Sequence, residues 1–505
     1  MQTVGLQMPE PAPPDTIADG VSSTQVHIEG PSRELTVKDS RPTNHVKLGT
    51  KIPGVKVISR FEDLTTEWLT EVFRFRGLLP ANGSIDEMVL KRIGEGQGAM
   101  SELVAITIVK ATNSFVEDRM PTTSTTATRT TPTYLVAKIW PEQAGKSVGG
   151  PPPIALKLVF FAESHFYNDF TVAAGGLPRP ECLHCGAAWR WTWSNAPAKF
   201  ILLLEDASRG LYGVGGPSRQ YMRVDGCASL EHLTMVMVGL ARFHARWWGK
   251  TRDKALPKWI HPTLSTCGLG PNFVTLIAKQ GVKLLPKLAS EMKHADGTNV
   301  ATFGKEFAFI VNEWHPRLVG HFRYIVRQLL RPPLTLIHGD CHLENVFFHE
   351  RYPGGCAFID FGNMHFGHAL ADVSFLLTTN LEPEVRRELE KTLLQRYHAA
   401  LVQHGVNGYP FERCWHDYQM NIYMVWCQIV TQAPDFVKMR KARAGMFAPE
   451  GEITEGSASL LKMCYAQNRR LAIALKDHDW ISLVTSQARQ PCDLVGCTPA
   501  ACVKT

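Results

Sequence analysis

Four apolar runs mark the first two hundred positions of the chain: "EMVLKRI" (87–93), "LVAITIVKA" (103–111), "YLVAKIW" (134–140) and "KFILLLE" (199–205). They are short, rich in β-branched residues and bounded by turn-forming stretches, which predicts strands. One helical stretch, "ALKLVFFAESHFYNDF" (155–170), interrupts them. Beyond Glu205 the period changes. Leu230, Leu233, Met237, Leu240, His244 and Trp247 recur at steps of three and four, the signature of one helical face. Ser229 is placed to cap that helix and Glu231 falls in its first turn. A second helix is predicted over 383–403, where an arginine pair and several glutamates suggest a solvated outer face. A third is predicted around "CWHDYQMNIYMVWCQIV" (414–430). A β-rich first part followed by a helix-rich second part predicts a bilobal α+β protein.

The organisation follows from where this patterning lapses. Residues 1–50 are polar and proline-rich ("PEPAPPD") and read as a flexible leader. A β-rich lobe is expected over 51–205, a helical lobe over 206–490 and a tail over 491–505. Inside the first lobe, "MPTTSTTATRTTPT" (120–133) separates two strand-like runs and reads as a long Ser/Thr-rich loop of a hairpin.

Composition narrows the partners. A net charge of +7 and a pI of 8.7 over 505 residues are mild, below the strongly basic range of nucleic-acid binders, and fit a basic pocket for phosphates as well. No run of about 18 uncharged apolar residues is present, so neither a membrane span nor membrane partners are expected. The opening "MQTVGLQMPEPAPPD" lacks the basic and apolar regions of a secretory signal. A cytoplasmic location is the expectation, with cysteines reduced. "CLHC" (182–185) has zinc-like spacing but no second pair nearby, so free thiols are the plainer reading. Nothing in the chain indicates its oligomeric state.

The densest chemistry lies in "HGDCHLENVFF" (338–348), between the apolar runs "LTLI" and "VFF". After the turn "HERYPGG" comes "CAFIDFGN" (356–363), so the pattern reads as a short hairpin with polar residues at its ends. Asp340 and Asn345 stand five apart, and Asp360 closes the second apolar run. Phosphoryl transfer needs one acid to orient or deprotonate the attacking hydroxyl. It needs a second acid and an amide oxygen to hold magnesium against nucleotide phosphates. Asp-x-x-x-x-Asn followed by a strand and Asp-Phe-Gly supplies that set.

"HGDCHLENVFF", "FIDFGN" and "HALADVSFLL" together resemble the aminoglycoside phosphotransferase and choline kinase-like group, in its ecdysteroid kinase-like branch. The resemblance covers roughly 57–480 and implies a bilobal protein-kinase-like fold and an ATP-dependent kinase acting on the alcohol group of a small acceptor. It implies Asp340 as catalytic base, Asn345 and Asp360 as magnesium ligands, His338 as a support of the loop and Asp372 as its brace. Glu344 departs from the pattern, since many members carry glycine there. The extra carboxylate would either weaken phosphate approach or point to solvent.

The nucleotide side is more dispersed. "IGEGQGAMSEL" (93–103) lies between two strands, so Gly94, Gly96 and Gly98 read as a phosphate-approaching loop or as a plain glycine-rich turn. A dinucleotide-binding reading fails, because a strand and not a helix follows. Lys138, late in its strand, resembles the lysine on the α- and β-phosphates, and Glu163 on the following helix resembles its partner. Lys157 is a rival lysine but lies in the helical stretch. The end of "KFILLLE" is where the group meets adenine, which places Leu204 and Glu205 beside the base. Trp415, Tyr418, Tyr423 and Trp426 fall near one helical face and read as an aromatic acceptor wall or as core, with Asp417 as a candidate amine binder. The acceptor, an alcohol or amino-alcohol, is left undefined. A nucleotide-binding pseudokinase acting as a scaffold is the alternative reading. A protein kinase fits less well, since no Ala-Pro-Glu segment follows Asp360.

Overall fold

The computed structural model describes residues 55–93, 101–113, 131–140, 153–170, 176–188, 199–250, 309, 313–314, 331, 333–422 and 455–488. In chain order these form helix α1 (Thr66–Phe75), strands β1 (Ser84–Ile93), β2 (Glu102–Thr112) and β3 (Tyr134–Ile139), helix α2 (Pro153–Asp169), and strands β4 (Cys182–Ala188) and β5 (Lys199–Glu205). Helix α3 (Leu230–Trp247) and the short strands β6 (Thr335–Ile337), β7 (Val346–Phe348), β8 (Cys356–Phe358) and β9 (His365–Gly367) follow. Helices α4 (Leu370–Asn380), α5 (Pro383–Gln403), α6 (411–422), α7 (Glu455–Asp477) and α8 (Trp480–Ala488) complete the described chain. The class is α+β, with a β-rich first part and a mainly helical second part. The predicted leader, most of the Ser/Thr-rich loop, the tail, the glycines Gly94, Gly96 and Gly98, and Tyr423 and Trp426 lie outside the described residues.

The first part is an antiparallel sheet of order β1-β2-β3-β5-β4. The continuous apolar run of β5 reflects burial on both faces. Ile201 and Leu203 pack with Trp68, Leu69, Val72 and Phe73 of α1, whereas Phe200, Leu202 and Leu204 join Phe160 and Phe166 of α2. Strand β4 and helix α1 are additions to the predicted elements. "CLHCGAA" forms an edge strand whose register slips between Cys182 and His184, and both Cys182 and Cys185 are free thiols. That slip breaks the period-2 pattern by which a strand is recognised.

In the second part, Ser229 Oγ accepts from the His232 amide and caps α3, as its position predicts. The predicted hairpin is present, with Val346 opposite Phe358 and Phe348 opposite Cys356. Its lead-in strand β6 pairs elsewhere, with β9. Helix α5 runs over the predicted span, but its outer face is not wholly solvated. Arg386 and Glu390 are buried. Arg386 Nη1 donates to Glu390 Oε2 at 2.6 Å and its other arm pairs with Asp477 of α7, while Tyr418 Oη donates to Glu390 at 2.8 Å. Asp477 and Tyr418, distant in sequence, complete the partners that make this local pair buriable, which is why the local pattern misreads it.

No described helix is long and apolar enough to cross a membrane.

Candidate active site

Lys138 enters from β3 and Glu163 from α2. Their side chains meet, Nζ to Oε2, at 2.7 Å, and both are almost wholly buried. Asp360, 222 residues further along the chain, joins the same ammonium through Oδ1 at 3.0 Å. Burial opposes the charge of Lys138, but the carboxylates of Asp360 and Glu163 outweigh it and raise the lysine above its ordinary range. Burial raises Glu163 as well, with Lys138 working against it. Asp360 is held below its ordinary value: burial resists, and Lys138 overcomes it. Lys157, the rival lysine, is buried on α2.

Asp360 sits in the left-handed region, at φ 62°, which is costly for a residue with a side chain. The two residues after it hold the position. Phe361 is fully buried and stacks on Phe166 of α2, with ring centroids 3.6 Å apart. Gly362 lies so close to Val159 of α2 that a Cβ would collide with it. The aspartate is thus wedged between the hairpin and the helix that carries Glu163.

The turn from His338 to Asn345 is braced from beneath. Asp372, in the first turn of α4, accepts the His338 amide at 2.7 Å on Oδ2 and the Gly339 amide at 2.9 Å on Oδ1. Behind it, His244 Nε2 lies 3.2 Å from Asp372 Oδ2, and its Nδ1 lies 2.8 Å from the Tyr397 hydroxyl. His338 Nε2 is 2.9 Å from the Ile359 carbonyl, tying the turn to the residue before Asp360. Gly339 has φ +80°, and a Cβ there would strike the Asn363 carbonyl, so the turn requires glycine.

Asp340 projects from this turn with about a quarter of its side chain exposed. Burial of the remainder, followed by repulsion from Asp360, pushes its pKa up to about 7. Asn345 is fixed by its amide nitrogen, 3.0 Å from the Asp340 carbonyl and 3.1 Å from His342 Nε2, which leaves Oδ1 as the acceptor end. Glu344 does not point to solvent. It accepts from Arg223 at its backbone amide and at Nε, both at 2.9 Å, and its carbonyl accepts from Gln220 Nε2. Nothing in the sequence separates Arg223 from other surface arginines, so sequence reasoning misses it.

Two predicted groups are differently engaged. Leu204 and Glu205 lie in β5, between β3 and β4. The Glu205 amide donates to the Glu181 carbonyl, and its carboxylate accepts from the Glu181 amide and from Tyr352 Oη, each at 3.0 Å. Asp417 accepts from Tyr409 Oη at 2.9 Å and Arg413 Nε at 2.8 Å and lies 3.2 Å from His368 Nε2, so it is not open to an acceptor amine. Tyr418 is fully buried and belongs to the core rather than to an acceptor wall. A cavity of about 470 Å³ opens behind the hairpin, between Met235, Val238, Arg242, Pro353 and Arg396, and none of the clustered residues lines it.

Residues 218–406 match the model of the ecdysteroid kinase-like family. That kinase-like segment carries Asp340, Asn345, Asp360 and Asp372, whereas Lys138 and Glu163 precede it. Among solved structures, the chain is similar to an ethanolamine kinase of Plasmodium vivax, at 11% identity and TM-score 0.42, over 82% of this chain and 89% of that one. It is similar to a choline kinase of Cryptosporidium parvum, at 12% identity and TM-score 0.45, over 84% and 99% of the two chains. A third is an aminoglycoside phosphotransferase of Streptomyces rimosus in complex with ADP and streptomycin, at 15% identity and TM-score 0.32, over 59% and 86%. No curated protein matches the chain.

Proposed function

We propose that the chain is an ATP-dependent kinase that moves the γ-phosphoryl group of ATP to a hydroxyl of a small acceptor. The observation that carries this reading is the meeting of Lys138, Glu163 and Asp360 beside the turn that bears Asp340, from four separate stretches of sequence. Asp340 accepts the hydroxyl proton. The acceptor oxygen bonds to the γ-phosphorus, the bond from that phosphorus to the bridging oxygen breaks, ADP departs and the proton passes on to solvent. Lys138, anchored by Glu163, neutralises the α- and β-phosphates. The donor set suits a hard cation: the Asp360 carboxylate and the Asn345 amide oxygen are oxygen ligands, as magnesium requires, with nucleotide phosphates and water completing its shell. Bound there, magnesium would neutralise charge on the β- and γ-phosphates. The glycine-rich run of Gly94, Gly96 and Gly98 remains the proposed cover of those phosphates.

A small acceptor is favoured by the walls around Asp340. Arg470 of α7 donates to the carbonyls of Arg223 and Thr379, so that helix closes on the segment touching Glu344. Asp360 is followed by only nine residues, "FGNMHFGHA", before α4 begins, which leaves little chain for a protein-docking shelf. Enclosure suits small ligands. Incubating the protein with labelled ATP, a metabolite extract and generic protein substrates tests this directly. Labelled metabolite is expected; label confined to protein would contradict it.

A further inference from the structure

The cleft of about 470 Å³ behind the β7–β8 hairpin contains none of the residues assigned to phosphoryl transfer. Its floor is one face of α3. Glu231, Val238 and Arg242 run along the middle of that face, at steps of seven and four. Thr234 turns to α5, where Arg396 Nη1 donates to its hydroxyl at 2.5 Å. Met235 turns to the hairpin, where its sulfur lies against Gly355. Pro178 and Pro353 complete the walls. The volume lies within the range of small-molecule sites, roughly 300–1,000 Å³. Apolar surface is left open there: Leu230 is 36% exposed, and Met235 and Val238 are only partly buried. An open apolar strip rimmed by charge marks a ligand groove. The charge on the rim is unspent. Among the described residues Arg242 makes no hydrogen bond or ion pair, and Arg396 has only the Thr234 hydroxyl. The charge of Arg242 also reaches into the cleft. Burial raises the thiol of Cys356, on the cleft wall, to about 12, and Arg242 works against that rise.

We propose that this cleft is a second binding site, for a small amphiphilic carboxylate whose apolar chain lies on Leu230, Met235 and Val238 and whose head meets Arg242. The planar guanidinium matches a carboxylate with two parallel hydrogen bonds, and Arg396 supplies a second cation. Met235, unbranched and polarisable, adapts to a chain of irregular shape. Glu231 sets the direction. It stands eleven residues before Arg242, about 16 Å along the helix. Its carboxylate repels the head from that end and leaves Leu230 beside it for the tail. The inference stands apart from the kinase reading, since it uses none of Lys138, Glu163, Asp340, Asn345 or Asp360.

The test is isothermal titration of the full chain with sodium decanoate below its micelle concentration. Acetate, which has the head alone, and decyltrimethylammonium, which has the chain with the opposite charge, are the comparisons. Decanoate should bind at one site per chain and the other two should not. Arg242→Gln should weaken decanoate about tenfold or more, the loss of a charge-assisted hydrogen bond. Arg242 is exposed, so this variant should keep its fold. Val238→Trp fills the middle of the cleft and should abolish binding, with folding checked by Tm. Absence of decanoate binding, undiminished affinity in Arg242→Gln, or equal binding of decyltrimethylammonium overturns the proposal. A dimer in sedimentation that Arg242→Gln dissociates would give the cleft to a second copy of the chain, and would overturn it too. The readout needs neither ATP nor turnover.

Discussion

Lys138 Nζ lies 3.0 Å from Asp360 Oδ1, joining the sheet of the first part to the hairpin of the second across 222 residues of sequence. The pairing gives Lys138 two anionic partners, of which Glu163 is the more deeply buried. Lys138→Met should raise KM for ATP or lower kcat, and it should leave Glu163 buried without a cation. Such an uncompensated charge costs about 3–5 kcal/mol, so Tm should fall as well. Lys157→Met should alter neither kinetic constant. Steady-state kinetics on the two variants check this, and an exchange of their effects would reassign the lysine.

Asp360→Asn removes the anionic oxygen ligand and should shift the magnesium dependence of nucleotide binding to higher concentration. Titrating magnesium at fixed ATP gives the midpoint. An unchanged midpoint would remove Asp360 from the metal site.

Gly339→Ala should destabilise the turn, since alanine at φ +80° is strained and its methyl group meets the Asn363 carbonyl. The cost is about 1–3 kcal/mol for the backbone conformation alone. Thermal unfolding of the variant would show a lowered Tm; a wild-type value would mean the turn can rearrange.

Asp417 offers a pH-dependent test of the core. Burial resists its ionisation, but hydrogen bonds from His368, His416 and Arg413 more than offset this and hold its pKa well below the ordinary value of 3.8. A carboxylate whose folded pKa is depressed stabilises the fold above its unfolded pKa, and that contribution fades as pH falls towards the folded value. Asp417→Asn should therefore be markedly less stable than wild type at pH 7, by roughly 3–5 kcal/mol. The gap should narrow below about pH 4, where the unfolded carboxyl takes up its proton. Denaturant unfolding at the two pH values measures both, and a gap that persists at low pH would count against the ionic role.

The hairpin and the Asp340–Asn345 spacing were legible because strand runs closed by polar residues mark them, whereas the Lys138–Glu163 pair came from the resemblance of the two residues to a kinase lysine and its partner glutamate. Helix α1 was legible in principle. Thr65 accepts from the Trp68 amide as an N-cap, and Trp68, Leu69, Val72 and Phe73 form one buried face. The partnership of Arg223 with Glu344 and that of Arg386 with Asp477 were not legible, because each joins residues about 90 or more positions apart that no local period relates. The same holds for Glu205, whose carboxylate accepts a hydrogen bond from Tyr352, 147 positions away.

The central claim is that Asp340 handles the proton of the acceptor. It is tested most directly by kcat, and by the pH dependence of kcat/KM, in the wild-type chain and in Asp340→Asn, with folding checked by Tm. In the free chain burial pushes Asp340 up to about 7, so wild-type kcat/KM should rise through that pH as the carboxylate ionises. Asp340→Asn should keep its fold, lose about 10²–10⁴-fold in kcat and lose that rise, the behaviour of a missing general base. A folded Asp340→Asn protein with wild-type kcat would contradict the account.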